Sequence, residues 1–361
     1  MQKFSGCSAE VAYFVRDEVV VGSNPITPTL NFLKQMSGKI TKILFIFFAL
    51  MTFISCSEKQ SEENFDKLSN EEKISLLDAK IKHSPKDADL YYQRGKVFSD
   101  MGNTKEALLN FQKAAMLNPS KVEYYIAQAD VFFARGETTL AFNSLQSAID
   151  KNPKSVEARL KSAELSLYLK DYDRCMKDVE NVLQLDKLNA KAFFLQGWVF
   201  KETGDTNRAV KSYKKAIELK SDYEQPFEEL GLLYAIKGDG LAVDYLKSTI
   251  KINPKNVNAM YALALFYQDH DAQQQALDLY QRILEIKPDY ADVIHNVGWI
   301  NYQYKQDYNT ALDCFTKAIK ADSNFYQAWY NRGKTYEKLG QMQQAKEDFA
   351  RADSLKKQQG I

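Results

Sequence analysis

Few residues in this chain are of a type and spacing that could do chemistry. The cysteines are Cys7, Cys56, Cys175 and Cys314. They form no C-x-x-C pair and no clustered spacing, so neither a disulfide framework nor a zinc site is predicted. The histidines are His83, His270 and His295. None has metal-motif spacing or a nucleophile beside it, so each reads as a solvated or packed imidazole. No glycine-rich phosphate loop follows a strand, because no convincing strand is present. The prediction is a protein that is not an enzyme, with no cofactor and no metal. Charge adds no nucleic-acid signal, since 48 basic residues meet 47 acidic ones.

The cysteine with a chemical context is Cys56. It ends KILFIFFALMTFISC, in which residues 43–54 are almost wholly apolar. Twelve residues of helix rise roughly 18 Å, well short of the ~30 Å of a bilayer core. Lys39 and Lys42 precede the apolar run and Ser55 follows it. Basic flank, short apolar core and small residue make the signal-peptide pattern. With Cys56 after the break, the stretch resembles the lipobox of bacterial lipoproteins, although Phe53 and Ile54 are bulkier than is usual there. The resemblance implies that residues 36–55 are a signal peptide and that Cys56 is the lipidated first residue of the mature chain, with palmitate among its acyl chains. Ser57 follows the cysteine, not the Asp that resembles an inner-membrane retention signal, which implies the outer membrane, on its periplasmic or surface face. Residues 56–68 are polar enough for a flexible tether. Upstream, Gly-Ser-Asn-Pro at 22–25 can be encoded by GGTTCGAATCCC, which resembles the T-arm of a transfer RNA gene. Residues 1–35 are therefore expected to be a start-site misassignment, with translation beginning at Met36.

The elements behind this segment are set by a repeat. Small residues recur near every 34 positions at Gly95, Ala129, Ala163, Gly197, Gly231, Ala264, Gly298 and Gly333. A bulky residue follows three or four positions on, as at Phe98, Phe132, Phe200, Tyr234, Tyr267 and Tyr336. A second small residue follows at Ala107, Ala141, Cys175, Ala209, Ala276 and Ala345, so Cys175 reads as a helix-contact thiol. Ala242 and Ala311 take the same role with one residue fewer and one more in the intervening turn. Pro119, Pro153, Pro254 and Pro288 close units, as proline ends a helix. Each unit thus predicts two amphipathic helices that approach closely at their small residues. Unit three fits least, with Ser166 at an aromatic position and Lys187 where proline would stand.

This pattern resembles the tetratricopeptide repeat. The resemblance implies an all-α, right-handed α-α superhelix over residues 88–357, in about eight units starting near 88, 122, 156, 190, 224, 257, 291 and 326. Ser69-Asn-Glu-Glu72 fits a capping box, so residues 69–86 predict a half-repeat helix that caps the N-terminal end. At the other end, positions that are apolar in the first seven units become Lys346 and Asp353, the polar outer face that a terminal repeat needs. The family holds protein or peptide partners in a groove lined by first helices. Here that implies Tyr92, Lys96, Asp130, Phe133, Glu164, Tyr168, Phe194, Trp198, Tyr261, Trp299, Tyr302, Tyr330 and Lys334 as groove residues. The family's two-carboxylate clamp pairs Lys with Asn on successive first helices, and this chain lacks that pairing. The expected function is a lipid-anchored scaffold at the bacterial envelope; the alternative is a subunit of an outer-membrane assembly, secretion or pilus complex.

Overall fold

The structure is a computed structural model that describes residues 65–360. The signal stretch, Cys56 and most of the tether lie outside the described residues. Among the described residues the chain is helical throughout. Helix α1 spans Asn70–His83, and its Ser69 and Glu72 exchange two hydrogen bonds, Ser69 N–H to Glu72 Oε2 at 2.8 Å and Glu72 N–H to Ser69 Oγ at 3.2 Å. The chain divides between Leu76 and Leu77 into two units, and the second carries all the repeats.

Eight helix pairs make up that second unit. They are α2 (Ala88–Asp100) with α3 (Thr104–Leu117), α4 (Val122–Ala134) with α5 (Thr138–Lys151), and α6 (Val156–Tyr168) with α7 (Tyr172–Leu185). Next come α8 (Ala190–Glu202) with α9 (Thr206–Leu219), and α10 (Glu224–Ile236) with α11 (Leu241–Ile252). The last three are α12 (Val257–Asp269) with α13 (Gln273–Ile286), α14 (Ala291–Ile300) with α15 (Tyr308–Ala321), and α16 (Tyr326–Lys338) with α17 (Met342–Gln358). The first member of each pair is called the A-helix and the second the B-helix. Each A-helix packs on its own B-helix, and each B-helix on the next A-helix, which produces the superhelix.

The sequence dictates this packing locally. A Cβ added at Gly95 would stand 2.6 Å from the Phe111 ring, and one at Gly197 would stand 2.6 Å from the Tyr213 ring. The missing side chain is the room that the buried B-helix ring occupies. Where the A-helix carries Ala129 or Ala163, the B-helix residue at the ring position shrinks to Leu145 or Val179, so volume is roughly conserved. Asp87, Asn103, Ser155, Asp171, Asn189, Asp205, Asn256 and Asp307 cap helix N-termini with their side chains. The closing prolines do more than stop a helix. Tyr91 and Tyr125 donate from their hydroxyls to the carbonyls of Pro85 and Pro119, and Arg159 donates to that of Pro153. Trp329 donates in the same way to Ser323. One side chain at a fixed place in each of these A-helices thus ties down the turn before it.

One sequence expectation needs correction. The extra residue of the seventh repeat is not in the turn. It widens the end of α14 into a π-helical turn, Asn301–Lys305, which closes at Gln306 in the left-handed region. An inserted residue can be absorbed this way without breaking the helix, since π turns occur mostly as single insertions in α-helices.

At the C-terminal end Lys346 and Asp353 are not buried, while Leu108, Ala115, Ile250 and Ile319 at the same two positions elsewhere are buried. Replacing Lys346 and Asp353 together with Leu and Ile is expected to make the chain self-associate. Light scattering reads this directly, and an unchanged mass would refute the terminal role of the two residues.

Candidate functional site

The A-helices line one face of the array, and the sequence-predicted binding residues fall on it in two groups. In the first four repeats, Tyr92 packs its ring on Phe111 and Tyr124 at 5.7 and 5.2 Å, with the Lys96 ammonium 5.9 Å above it. Phe133 and Tyr168 meet edge to face at 5.0 Å, and Tyr168 is 70% exposed. Trp198 is half-buried under the Lys201 ammonium, 4.9 Å from its ring. In the last three repeats, Tyr261 stacks on Tyr290 at 5.7 Å. Trp299 stacks on Tyr302 at 5.9 Å, and Lys334 lies 5.8 Å above both Tyr302 and the exposed Tyr330.

Two of the predicted groove residues belong to the core. Phe194 is 6% exposed because Tyr223, from the start of the next repeat, closes over it together with Trp198 and Tyr213. Tyr302 is 8% exposed because it lies in the π turn, between Trp299 and Tyr308.

The first group borders two cavities. One, of about 320 Å³, is walled by Phe133, Leu145, Leu165 and Tyr168, with Asp130, Lys161 and Glu164 among its polar lining. The other, of about 440 Å³, is walled by Leu167, Tyr168, Phe194, Leu195 and Trp198, with Glu164, Glu202 and Lys170 among its polar lining. Tyr168 and Glu164 are common to both.

Lys161, Lys191, Lys201 and Glu229, which sequence reasoning missed, complete the surface together with the predicted Asp130 and Glu164. A ladder of ion pairs joins successive A-helices: Lys161 to Asp130 at 2.8 Å, Lys191 to Glu164 at 2.7 Å and Lys201 to Glu229 at 2.9 Å. The first two pairs are partly exposed and contribute at most about 1 kcal/mol each, so they set the local field more than the stability; the Lys201–Glu229 pair is largely buried. That field is negative. The A-helices of repeats two to five carry Glu123, Asp130, Glu157, Glu164, Glu202, Glu224, Glu228 and Glu229 against Arg159, Lys161, Lys191 and Lys201. Arg159 faces Asp178 on a B-helix, at 3.6 Å. Burial raises the Glu228 carboxyl above its ordinary value, opposed by a hydrogen bond from Asn256.

In repeats six to eight the ladder gives way to a neutral network. Asn331 Nδ2 donates to His295 Nε2 at 2.8 Å, and His295 Nδ1 faces Asn296 Oδ1 at 3.3 Å. Asn296 Nδ2 donates to the Tyr280 hydroxyl at 3.2 Å, which donates to Gln268 Oε1 at 3.1 Å. A neutral imidazole with its hydrogen on Nδ1 satisfies both contacts, and burial lowers the His295 value below the ordinary 6.5. The unfolded chain therefore takes up this proton first, so acid destabilises the fold. The contribution is complete above about pH 6.5 and is lost as pH falls toward the lower folded value. Between pH 7 and 5 the wild-type Tm is expected to drop more steeply than that of His295→Phe; parallel slopes would refute the assignment. Nearby Asp292 works against the shift.

The remaining reactive side chains are quiet. Burial pushes the Cys175 thiol up to about 12 and that of Cys314 up to about 11, far from thiolate at neutral pH. His270 lies flat on Phe266 with Nδ1 2.7 Å from its carbonyl. Among the described residues no group of three or more His, Cys, Asp or Glu side chains is placed to hold a metal.

Family profiles described as "TPR repeat" and "Tetratricopeptide repeat" match residues 197–238, and 88–121 and 314–347, respectively. The repeats are tetratricopeptide repeats. Bovine (Bos taurus) BBSome complex member BBS4 is 27% identical to the chain over 168 residues, which are 46% of this chain and 32% of BBS4. Anaphase-promoting complex subunit 3 of Schizosaccharomyces pombe is 27% identical over 129 residues, 36% of this chain and 19% of that protein. The chain thus spans a third or less of the length of these relatives. Among solved structures, Pseudomonas aeruginosa pilF superposes with a TM-score of 0.50 at 18% identity, covering 56% of this chain and 92% of that one. That likeness is one of fold alone.

Proposed function

We propose that this protein is a non-catalytic adaptor that holds a protein or peptide partner on its A-helix face and is tethered to the bacterial envelope, at the outer membrane, by lipid on Cys56. The observation that carries the binding part is Tyr168, a large aromatic ring left 70% exposed between two cavities with mostly apolar walls. A ring so exposed adds little to the core, and exposed aromatics beside pockets are the residues that anchor partners. Tetratricopeptide repeats act as interaction scaffolds, and the two relatives named above are members of multi-protein complexes. The tether rests on the sequence of residues 36–56 alone. A second reading, a subunit of an outer-membrane assembly, secretion or pilus complex, would use the B-helix face as well, where Leu109 and Met116 are exposed.

The test is a photo-crosslinking residue placed in cells at position 168, 198 or 299, and separately at 109 or 116. Adducts from the first three positions alone support the groove. Adducts from the last two alone refute it and favour the complex-subunit reading. In the same strain Cys56→Ala should abolish incorporation of labelled palmitate and release the protein from membranes; retained label would overturn the anchor.

A further inference from the structure

We propose, building on the groove reading above, that the two cavities beside Tyr168 receive two bulky apolar side chains three residues apart on an extended segment, and that a basic residue of that segment rests on the carboxylates at their rims. Three observations fix these terms. The first is size. At about 320 and 440 Å³ the cavities fall in the range of roughly 300–1,000 Å³ that holds bound groups. Each has room for one large side chain against Phe133, Leu165 and Tyr168, or against Leu195 and Trp198.

The second is spacing. The cavities are built on successive A-helices, and packed helices lie about 8–10 Å apart. An extended chain of the polyproline II type has three residues per turn and advances about 3.1 Å per residue, so side chains three positions apart share one face and span about 9 Å. Neighbouring residues on a helical ligand, three or four apart, stand only about 5–6 Å from each other. A helix would reach both cavities only with a seven-residue spacing, about 10.5 Å.

The third is charge. Lys161, Lys191 and Lys201 are held to Asp130, Glu164 and Glu229 of neighbouring A-helices. Glu202, on the rim of the larger cavity, is left 3.6 Å from a lysine that sits closer to another acid. Lys170 also lines the larger cavity, but acidic residues outnumber basic ones two to one across these four helices, so lysine or arginine on the ligand is attracted and glutamate is repelled.

The test uses the full chain in detergent and four fluorescein-labelled peptides. They are Gly-Lys-Phe-Ser-Ser-Phe-Lys-Gly, the same with one serine removed, the same with glutamate for both lysines, and a helix-forming peptide with its two phenylalanines seven apart. Anisotropy should show the first binding at least tenfold more tightly than the other three. Tyr168→Ala, which leaves the core intact because the ring is exposed, should weaken it at least tenfold, and Glu202→Gln should narrow its advantage over the glutamate peptide. Equal binding of the glutamate or seven-residue peptide would overturn the proposal. If no peptide binds while crosslinks form at position 168, the proposal falls and the groove reading stands; if neither occurs, both fall.

Discussion

Tyr280→Ala is expected to cost about 3–5 kcal/mol of stability, the cost typical of removing a large buried aromatic side chain. The Tyr280 ring is fully buried on α13, in a cluster with Met260, Leu263, Ala264 and Ile283. Its loss leaves a cavity that the flanking helices close only in part. It also strands Gln268 and leaves Nδ2 of Asn296, the residue that positions His295, with only its longer bond to the Tyr261 hydroxyl at 3.4 Å. Tyr280→Phe separates the two effects, since it keeps the ring and gives up hydrogen bonds worth about 1 kcal/mol net each. In a solenoid each repeat touches only its neighbours. Amide exchange should therefore accelerate in α12, α13 and α14 and stay near wild type in α2 to α5. Uniform acceleration along the array would show that it melts as a single cooperative block.

Asp348→Ala should be comparably severe, at about 3–5 kcal/mol, for an electrostatic reason. Arg332 Nε and one terminal guanidinium nitrogen donate to the two Asp348 carboxylate oxygens at 2.7 and 2.8 Å. Both side chains are largely buried, at 14% and 6% exposure. Removing the acid leaves the guanidinium desolvated and unpaired. Replacing both, Arg332→Met with Asp348→Leu, should restore stability to within about 1.5 kcal/mol, because a packed apolar pair can take the place of a buried ion pair. The protein already uses that solution. Leu263 and Leu279 hold the same two positions in the sixth repeat and share its core. Urea unfolding of the single and double variants decides the matter; a double variant as unstable as the single one would mean that the pair itself is required.

These two sites also show what the sequence could and could not reveal. The close A–B approach was legible because a small residue and a large one recur at fixed phase, and the polar end was legible because Lys346 and Asp353 break a run of apolar residues. The Arg332–Asp348 position was not. It recurs as Arg94 with Asn110 and as Gln196 with Ser212, each hydrogen-bonded across 16 residues. Its chemistry changes from repeat to repeat, so no single residue type marks it, and each partner lies on a different helix. Burial of Phe194 was hidden for a similar reason, since Tyr223, which covers it, lies 29 positions further on. The aromatic face at Tyr168 and Trp198 was readable from helical phase. The cavities beside them were not, because their walls come from helices of two neighbouring repeats.

The π turn at Asn301–Lys305 is, in the language of crystals, a stacking fault. A periodic stack that gains one element either shifts everything beyond the fault or confines it where it arose. Here it is confined. After the extra residue, Ala311, Phe315 and Ala318 are buried like their counterparts in other repeats, and the eighth repeat follows with its small residue, Gly333, again against a ring, that of Phe349. Length errors of one residue are thus healed within a single helix end, so such an array can vary the lengths of its units without losing the lattice that the later units extend.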